Sequence, residues 1–391
     1  MVDSVVLRLL GERWRVDLSA YSDPVALLGR VRELWTRVVD EAMEGEDVCF
    51  RPVPEGEDVP STLHPRIADR ADGSFPYAFS RAITQAVIER RAGSALLLHA
   101  AGLASEDGRR GVVLVASSGT GKSTAARHLG QQLGYLSDEL MMIDEREELQ
   151  GLTKPISLIV PDFPGGKDES SPDALGLGPT PIAPPRLAAM VCLSRADEAV
   201  EPRFDAISLH ELIAEVVPQT SSLWRVDRPL QRLAEAAQRG GGPFRLSYAE
   251  IADAEPLVHG LLDADRSPDG VREWSEHRPS EQERWRENEG AGAVFDGDFD
   301  DDVVISRAPW TDAIEQDGEV SVLAGASFTR VAGIAATIWL CCAHPRTVAE
   351  LGDVLAREHG PHPDAVPLIQ AALQELSARR LVSAAVAEAA Q

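Results

Sequence analysis

The chain has 391 residues, of which 44% are hydrophobic and 26% are charged, a composition that excludes wholesale disorder. Its length allows about two or three domains. The 63 acidic residues outnumber the 38 basic ones, and the formal charge of −25 repels nucleic-acid backbones and anionic membrane surfaces, so we expect neither as a partner.

The first predicted segment, residues 1–92, has a strand at 4–10 and helices at 23–44 and 76–91, with a loop rich in Pro and Glu between the helices. Apolar residues recur at helical spacing within the first of these helices. No chemistry is assigned to this segment, and its role as a lid, a dimer surface or a structural cover stays open.

Residues 93–263 form a second predicted segment, in which continuous apolar strands alternate with helices. This alternation predicts an α/β core with helices on both faces of the sheet. A mobile loop is predicted at 161–185, which is rich in Pro, Gly and Asp. The predicted strands lie at 95–99, 111–115, 134–137, 140–143, 187–194 and 244–246, and the predicted helices at 123–132, 208–217 and 229–239. The stretch 249–263 is expected to close the domain.

Residues 264–299 are predicted to be a polar linker, because charges of both signs are dense and apolar residues are few. Residues 300–391 return to packed patterns and form the last predicted domain. Its predicted strands lie at 303–306 and 313–322, and its predicted helices at 332–341, 347–359 and 364–380.

No stretch of about 18 apolar residues occurs, and no basic patch with a long apolar core opens the chain, so neither a membrane span nor a signal peptide is expected. The four cysteines, at 49, 192, 341 and 342, show no Cys-x-x-Cys spacing. This spacing argues against a zinc site or a disulfide framework. A cytoplasmic location is therefore expected.

The strongest chemical signal is the apolar run that begins at Val112 and leads into a Gly- and Ser-rich loop. It is typical of a P-loop, with Ala116 where Gly is commoner. The glycines let backbone N–H groups converge on phosphate oxygens, and the next helix points its N-terminus at the same anion. Lys122 would reach the β- and γ-phosphates, and Ser123 would ligate Mg²⁺. The predicted nucleotide-binding residues are Ser117, Ser118, Gly119, Thr120, Gly121, Lys122, Ser123 and Thr124.

An acidic pair, Asp138 and Glu139, begins 16 residues after Lys122, which leaves room for a helix and a turn. One carboxylate can hold Mg²⁺ and the other can accept a proton from an attacking hydroxyl. His99 ends an apolar strand, where it is either a structural residue or a group that orients Asp138. The guanine-reading motif of GTPases is excluded, because Asn288 is the only asparagine.

Only three lysines occur, Lys122, Lys154 and Lys167, so each is a candidate for a specific role. Lys154 is either a solvated surface residue or a contact to a phosphate or acceptor. Arg186 is a weaker candidate for stabilising negative charge. Lys167, in the predicted loop, and Arg195 are predicted to have no role.

These motifs resemble HPr kinase-like serine kinases over about residues 93–263. The resemblance implies a P-loop core similar to the phosphoenolpyruvate carboxykinase fold, with ATP and Mg²⁺ as cofactors, and it allows a homo-oligomer. It also implies that Asp138 is the base for an acceptor serine, that His99 supports Asp138, and that Glu139 lies near the metal ion. The runs that carry the resemblance are Leu98-His99-Ala100-Ala101-Gly102, Gly121-Lys122-Ser123, Leu136-Ser137-Asp138-Glu139 and Lys154-Pro155-Ile156-Ser157-Leu158.

The C-terminal segment resembles PqqD-like domains in its runs at 329–340, 347–351 and 373–382. Such domains are winged-helix elements that bind leader peptides of ribosomally made, modified peptides. By this resemblance a leader would add as a strand beside residues 319–324. A DNA-binding winged helix is disfavoured by the acidic charge and by the lack of an Arg/Lys-rich recognition helix. The predicted leader contacts are Val320, Val322, Ile338 and Trp339.

Together, the two resemblances imply a kinase that phosphorylates a Ser, or a Thr, of a precursor peptide. The C-terminal domain would hold the leader and so raise the concentration of the acceptor at the active site. Two alternatives remain open. One is a nucleotide-gated peptide carrier without phosphate transfer, and the other is a small-metabolite kinase with a regulatory C-terminal domain.

Overall fold

The computed structural model of the chain describes residues 4–42, 45, 47–54, 61–68, 73–117, 119–160, 167–263, 274–287, 294–295 and 297–386. Ser118, part of the predicted loop (161–166) and part of the predicted linker (264–273) lie outside the described residues. No helix within the described residues is long and apolar enough to cross a membrane.

The chain divides into two compact units whose limits differ from the predicted ones. Residues 1–92 are not a separate domain, because their apolar core includes Leu97, Leu140, Met142 and Leu152 from the next segment. Two helical stretches predicted for the P-loop domain belong to the C-terminal unit instead. The first unit comprises residues 1–207, 218–222 and 236–268, and the second comprises 208–217, 223–235 and 269–391.

The N-terminal part of the first unit is a small sheet with two helices. Helix α1 is shorter than predicted and ends at Leu34. The reason is Trp35, which is buried edge-on against Phe79 of α2 at a ring distance of 5.8 Å, and the chain then continues as a 3-10 turn. The elements are β1 (Ser4–Leu9), β2 (Glu12–Asp17), α1 (Pro24–Leu34), β3 (Asp47–Phe50) and α2 (Phe75–Arg91).

The rest of the first unit surrounds a six-stranded mixed sheet, and the predicted α/β class is confirmed. The elements from this part of the chain are β4 (Leu96–Leu98), β5 (Ala100–Ala104), β6 (Arg110–Val115), α3 (Lys122–Leu129), β7 (Gly134–Ser137), β8 (Met141–Ile143), β9 (Leu149–Gly151), β10 (Ile156–Ile159), β11 (Lys167–Ser170), β12 (Arg186–Arg195), β13 (Arg203–Ala206), α4 (Leu209–Val216), α5 (Pro229–Ala237), β14 (Phe244–Tyr248) and α6 (Ile251–Asp263). Of these, α4 and most of α5 belong to the second unit.

The strand order in this sheet is β13-β14-β12-β6-β5-β7. Strands β6, β12 and β14 run parallel, whereas β5 runs antiparallel to both β6 and β7. The two faces of β5 are covered differently. Helices α3 and α6 pack on the face that holds Ala101 and Leu103, whereas Gly102 faces the other way, against Met141 of β8. Gly102 leaves room for Met141, so a strand covers this face of β5.

The second unit combines two small antiparallel sheets with three consecutive helices, and the winged-helix assignment stays a prediction. The sheet orders are β15-β17-β18-β19 and β20-β16-β21, and α4 packs against β18 and β19. The remaining elements are β15 (Ser275–His277), β16 (Val303–Arg307), β17 (Asp312–Gln316), β18 (Glu319–Ala324), β19 (Ser327–Val331), α7 (Gly333–Cys341), β20 (Arg346–Thr347), α8 (Val348–His359), α9 (Ala365–Ala378) and β21 (Val382–Val386).

The predicted leader site beside residues 319–324 is wrong. Strand β18 pairs with β17 on one side and β19 on the other, so it offers no edge for an added strand. The four predicted contacts, Val320, Val322, Ile338 and Trp339, are completely buried in the core of this unit. They pack the domain and cannot meet a peptide without unfolding it.

A buried carboxylate attaches helix α5 to strand β17. Asp312 accepts hydrogen bonds from the backbone N–H groups of Leu230 (2.8 Å) and Gln231 (3.1 Å) and from Gln231 Nε2 (2.8 Å). These contacts satisfy N–H groups that the first turn of a helix leaves without partners. Burial nevertheless raises the pKa of Asp312 to about 6, against the opposing effect of these hydrogen bonds.

This raised pKa predicts a pH-dependent stability for the second unit. Because folding favours the protonated carboxyl, its contribution is fully present below about pH 4 and is lost as the pH rises through about 6. We expect the free energy of unfolding of the wild type, measured relative to Asp312→Asn, to fall by about 3 kcal/mol over that range. Hydrogen exchange of β17 measures it. The exposed Asp301→Asn should match the wild type, and parallel pH curves for the wild type and Asp312→Asn would contradict the assignment.

Candidate active site at one edge of the sheet

Four segments of the first unit meet at one edge of the central sheet. Strands β6 and β7 run in the same direction, so the P-loop after β6 and the acidic pair after β7 leave the sheet at the same edge. Strand β5 begins there, because Ala100 lies opposite Val115, and His99 therefore precedes it at this edge. We call the P-loop (116–124) together with His99, Asp138, Glu139 and Lys154 the edge site.

The P-loop has the backbone that its sequence predicts. Gly119 and Gly121 have φ angles of +85° and +92°, which side chains with a Cβ rarely adopt. Helix α3 begins at once with Lys122, so its free N–H groups face the loop. Among the other predicted nucleotide contacts, Ser117, Ser123 and Thr124 are exposed and Thr120 is half-buried. These groups are accessible to a phosphate chain and its metal ion.

Lys122 is a buried cation without a carboxylate partner among the described residues. Only 7% of the residue is exposed, and its Nζ donates to the His99 carbonyl oxygen at 2.6 Å. Within the described part of the chain, no carboxylate lies within ion-pair distance of it. Burial lowers the pKa of Lys122 to about 8, although Asp138 and Glu139 oppose this shift. The side chain is thus still mostly charged at pH 7 and has donors to spare for an anion.

Asp138 is buried at the end of β7, and its partner was not predicted from the sequence. The hydroxyl of Tyr135 donates to Asp138 Oδ1 at 3.0 Å, and burial raises the pKa of Tyr135 well above its usual value. Tyr135 therefore remains a hydrogen-bond donor at neutral pH and fixes the orientation of the carboxylate. A single Tyr in an apolar strand before an acidic pair is the signal that could have indicated this role.

His99 contributes to the edge site through its backbone and through a contact of its imidazole with the Glu139 backbone. Its carbonyl oxygen binds Lys122, and its N–H donates to the Gln219 carbonyl at 2.6 Å. Desolvation, and to a smaller extent the charge of Lys122, lowers the pKa of the imidazole. Glu139 and Asp138 oppose this shift. The ring is therefore neutral at pH 7. No hydrogen bond joins the imidazole to Asp138 among the described contacts. In this structure Tyr135, and not His99, donates the hydrogen bond that orients Asp138.

Glu139 and Lys154 form an ion pair, with 2.8 Å between Lys154 Nζ and Glu139 Oε2. One interpretation of the sequence made Lys154 a solvated surface residue. The structure contradicts it, because the Lys154 side chain is buried and also donates to the Pro155 carbonyl at 3.2 Å. Burial opposes both charges, yet the pKa of Lys154 is raised and that of Glu139 is lowered, because each group stabilises the other. The pair is charged at neutral pH.

All three lysines of the chain act on this acidic pair. Lys122 and Lys154 do so as described, and Lys167 helps to lower the pKa of Glu139. The Lys167 ammonium also lies 5.3 Å from the ring centre of Tyr77 in α2. Lys167 had been predicted to have no role. The three lysines, which stand out in the sequence by their scarcity, thus act on the same two carboxylates.

Glu169 is a further buried carboxylate near Lys154 that the sequence did not indicate. It is 3% exposed and accepts hydrogen bonds from Ser80 Oγ (2.8 Å) and Ser157 Oγ (2.6 Å). Burial raises the pKa of Glu169, while Lys154 and the two hydroxyls oppose the shift. Ser80 belongs to α2, so the N-terminal segment of unknown role forms part of the wall behind the edge site.

The two arginines lie at opposite ends of β12, and the guanidinium of Arg195 pairs with Glu250 at 2.8 Å. Arg186 pairs with Arg110 at the amino ends of β12 and β6, about 17 Å from the P-loop edge at ~3.3 Å per residue, so it is not brought to the site. Arg195 ends β12 at the P-loop edge. A Cβ on Gly121 would lie 3.8 Å from Arg195 Cδ.

The residues of the edge site fit a nucleotide triphosphate with Mg²⁺. A buried ammonium without an ion-pair partner among the described residues and a loop with two left-handed glycines suit a phosphate chain. Ser123, Asp138 and Glu139 offer oxygen atoms, which Mg²⁺ prefers. No group of three or more His, Cys, Asp or Glu residues among those described is placed to hold a metal ion. Mg²⁺ would thus depend on phosphate oxygens and water as well, as it commonly does.

One solved structure similar to this chain is the HPr(Ser) kinase/phosphatase from Coxiella burnetii. The alignment covers 42% of this chain and 88% of that chain, with 12% sequence identity and a TM-score of 0.24. No protein-family model matches this chain, and no curated protein matches it at a significant level. At that TM-score the likeness carries no argument, so the function proposed below depends on the residues of the edge site.

The contact between Tyr135 and Asp138 yields a prediction about rate. We expect Tyr135→Phe to lower the rate of phosphate transfer about tenfold and to leave MgATP affinity unchanged, because a hydrogen bond to a charged group is worth about 1.5–3 kcal/mol. Single-turnover kinetics and calorimetry measure the two quantities. Tyr21→Phe is the matched control, since it removes a hydroxyl that donates to the Ile67 carbonyl at 2.9 Å. An unchanged rate in Tyr135→Phe would show that Tyr135 does not position Asp138.

Proposed function

We propose that the protein is an ATP-dependent phosphotransferase that phosphorylates a serine, or a threonine, of a peptide. The observation that carries the proposal is the buried ammonium of Lys122. It lacks an ion-pair partner among the described residues and lies at the start of α3, beside Asp138 and Glu139. A buried cation without a counter-ion is costly, and a phosphate chain is the ligand that would offset this cost.

In the proposed reaction, each binding or catalytic group has one task. The loop N–H groups and Lys122 bind the phosphates, and Ser123 with Glu139 would hold Mg²⁺, which neutralises phosphate charge when bound. Asp138 takes the proton of the acceptor hydroxyl. The serine oxygen forms a bond to the γ-phosphorus as the bond from that phosphorus to the β,γ-bridging oxygen breaks, and ADP leaves. Tyr135 keeps Asp138 in position.

We further propose that the acceptor is a precursor peptide whose leader binds the second unit. With β18 paired on both sides, the edge that suits an added strand is that of β19 (Ser327–Val331), whose strand partner among the described residues is β18. Phe328 is half-buried and Arg330 is exposed along this strand. Main-chain hydrogen bonds to such an edge bind extended peptides with little dependence on sequence.

The test is to incubate the full chain with MgATP and a library of synthetic serine peptides, and to search for phosphopeptides by mass spectrometry. We expect a gain of one phosphate on serine and none on a matched library with alanine at every serine position. ATP binding without any phosphopeptide would favour the peptide carrier. ADP formation with a small-molecule pool but not with peptides would favour a metabolite kinase. Absence of MgATP binding would overturn the proposal.

A further inference from the structure

Lys154, which forms the ion pair with Glu139, has a second acidic neighbour. Glu169 lies opposite Ser157, three residues after Lys154, in the pairing of β10 with β11. After Glu139, it is the largest stabilising influence on the charge of Lys154. Glu169 is fixed by two hydroxyls from separate elements, Ser80 in α2 and Ser157 in β10. Its carboxylate is thus held at one position, whereas the Glu139 side chain is 39% exposed and is the more accessible of the two carboxylates.

This arrangement sets up a competition at Glu139. The carboxylate is a proposed metal ligand, yet here it forms an ion pair with Lys154. A metal ion that takes Glu139 deprives Lys154 of its closest counter-charge. An ammonium left buried without a counter-charge is unfavourable, so metal binding is favoured when another carboxylate stabilises Lys154.

We propose that Glu169 is a positioning residue that stabilises Lys154 when a metal–nucleotide complex takes over Glu139. This inference rests on the proposed function, and it gives the N-terminal segment a role through Ser80. Glu169 does not touch the nucleotide or the metal ion. It acts only through Lys154, and the dependence on Lys154 separates this role from a merely structural one.

The first measurement is Mn²⁺ binding to the full chain by electron paramagnetic resonance, with a non-hydrolysable ATP analogue at saturation. We expect Glu169→Gln to weaken Mn²⁺ binding about tenfold, because Lys154 then depends more strongly on Glu139, with a smaller contribution from Asp138. Affinity for the analogue in the presence of EDTA should not change. Ser80→Ala should weaken Mn²⁺ binding in the same direction but less, since Ser157 still holds Glu169. The exposed Glu198→Gln is the charge-matched control and should equal the wild type.

The second measurement removes Lys154. We expect Lys154→Gln to bind Mn²⁺ at least as tightly as the wild type, because Glu139 is then free. The double variant Glu169→Gln/Lys154→Gln should bind Mn²⁺ like Lys154→Gln alone, so the effect of Glu169 disappears when Lys154 is absent. A general loss of structure would instead weaken binding in the double variant as well.

The outcomes separate this inference from the proposed function. If the wild type binds Mn²⁺ with the analogue and Glu169→Gln binds it equally well, the role of Glu169 is overturned and the kinase proposal stands. The role is also overturned if the tenfold loss persists in the double variant. If the wild type binds neither the analogue nor Mn²⁺ with it, the proposed function falls, and this inference falls with it.

Discussion

Lys122→Met is expected to weaken MgATP binding by 10²-fold or more and to abolish phosphate transfer. Lys122 would supply about two charge-assisted hydrogen bonds to phosphate, each worth roughly 1.5–3 kcal/mol, and every 1.4 kcal/mol is a factor of about ten in affinity. The measurements are calorimetric titration with MgATP and phosphopeptide formation. Thermal stability should not fall, since the variant replaces a buried cation by an apolar side chain of similar length.

A loss of MgATP binding without a loss of thermal stability makes the test specific. A residue that serves only the fold would lose stability and binding together. Arg186→Ala is the matched control, because it also removes a positive charge on a strand of the central sheet, but at the amino ends of β6 and β12. It should bind MgATP like the wild type. Normal MgATP affinity in Lys122→Met would refute the phosphate site.

Asp138→Asn is expected to lower phosphate transfer by about 10²–10⁴-fold, the usual contribution of a general base, while MgATP affinity stays within a factor of about three. The amide is nearly isosteric and can still meet the Tyr135 hydroxyl, but it cannot accept the proton of the acceptor serine. Single-turnover transfer to a peptide substrate measures the first effect, and calorimetry measures the second.

Glu145→Gln is the control for this variant. Glu145 is an exposed carboxyl that follows β8 in the same unit, so its neutralisation changes the net charge equally without reaching the edge site. We expect full activity from it. If Asp138→Asn transferred phosphate at the wild-type rate, another group would have to accept the proton, and the neutral imidazole of His99 would be the next candidate.

The sequence alone predicted the parts of the edge site that are local in the chain. An apolar strand, two glycines, Lys122 and a helix form a P-loop through contacts between neighbours in sequence, so the pattern of residue types was sufficient. The helices at 76–91 and 347–359 were also predicted closely, since their apolar spacing and caps are local features. The scarcity of lysine singled out three residues that act on the same acidic pair in the structure, although no role was predicted for Lys167.

Tertiary structure decided the contacts between residues that are distant in the chain. Strand order and register placed Arg195 at the P-loop edge and Arg186 at the other edge, and they paired β18 on both sides so that the predicted leader contacts became core. Packing brought Ser80 to Glu169 and paired Lys154 with Glu139. Apolar periodicity shows which side of a strand is buried, but it does not specify which strand lies next to it, and these contacts depend on that choice.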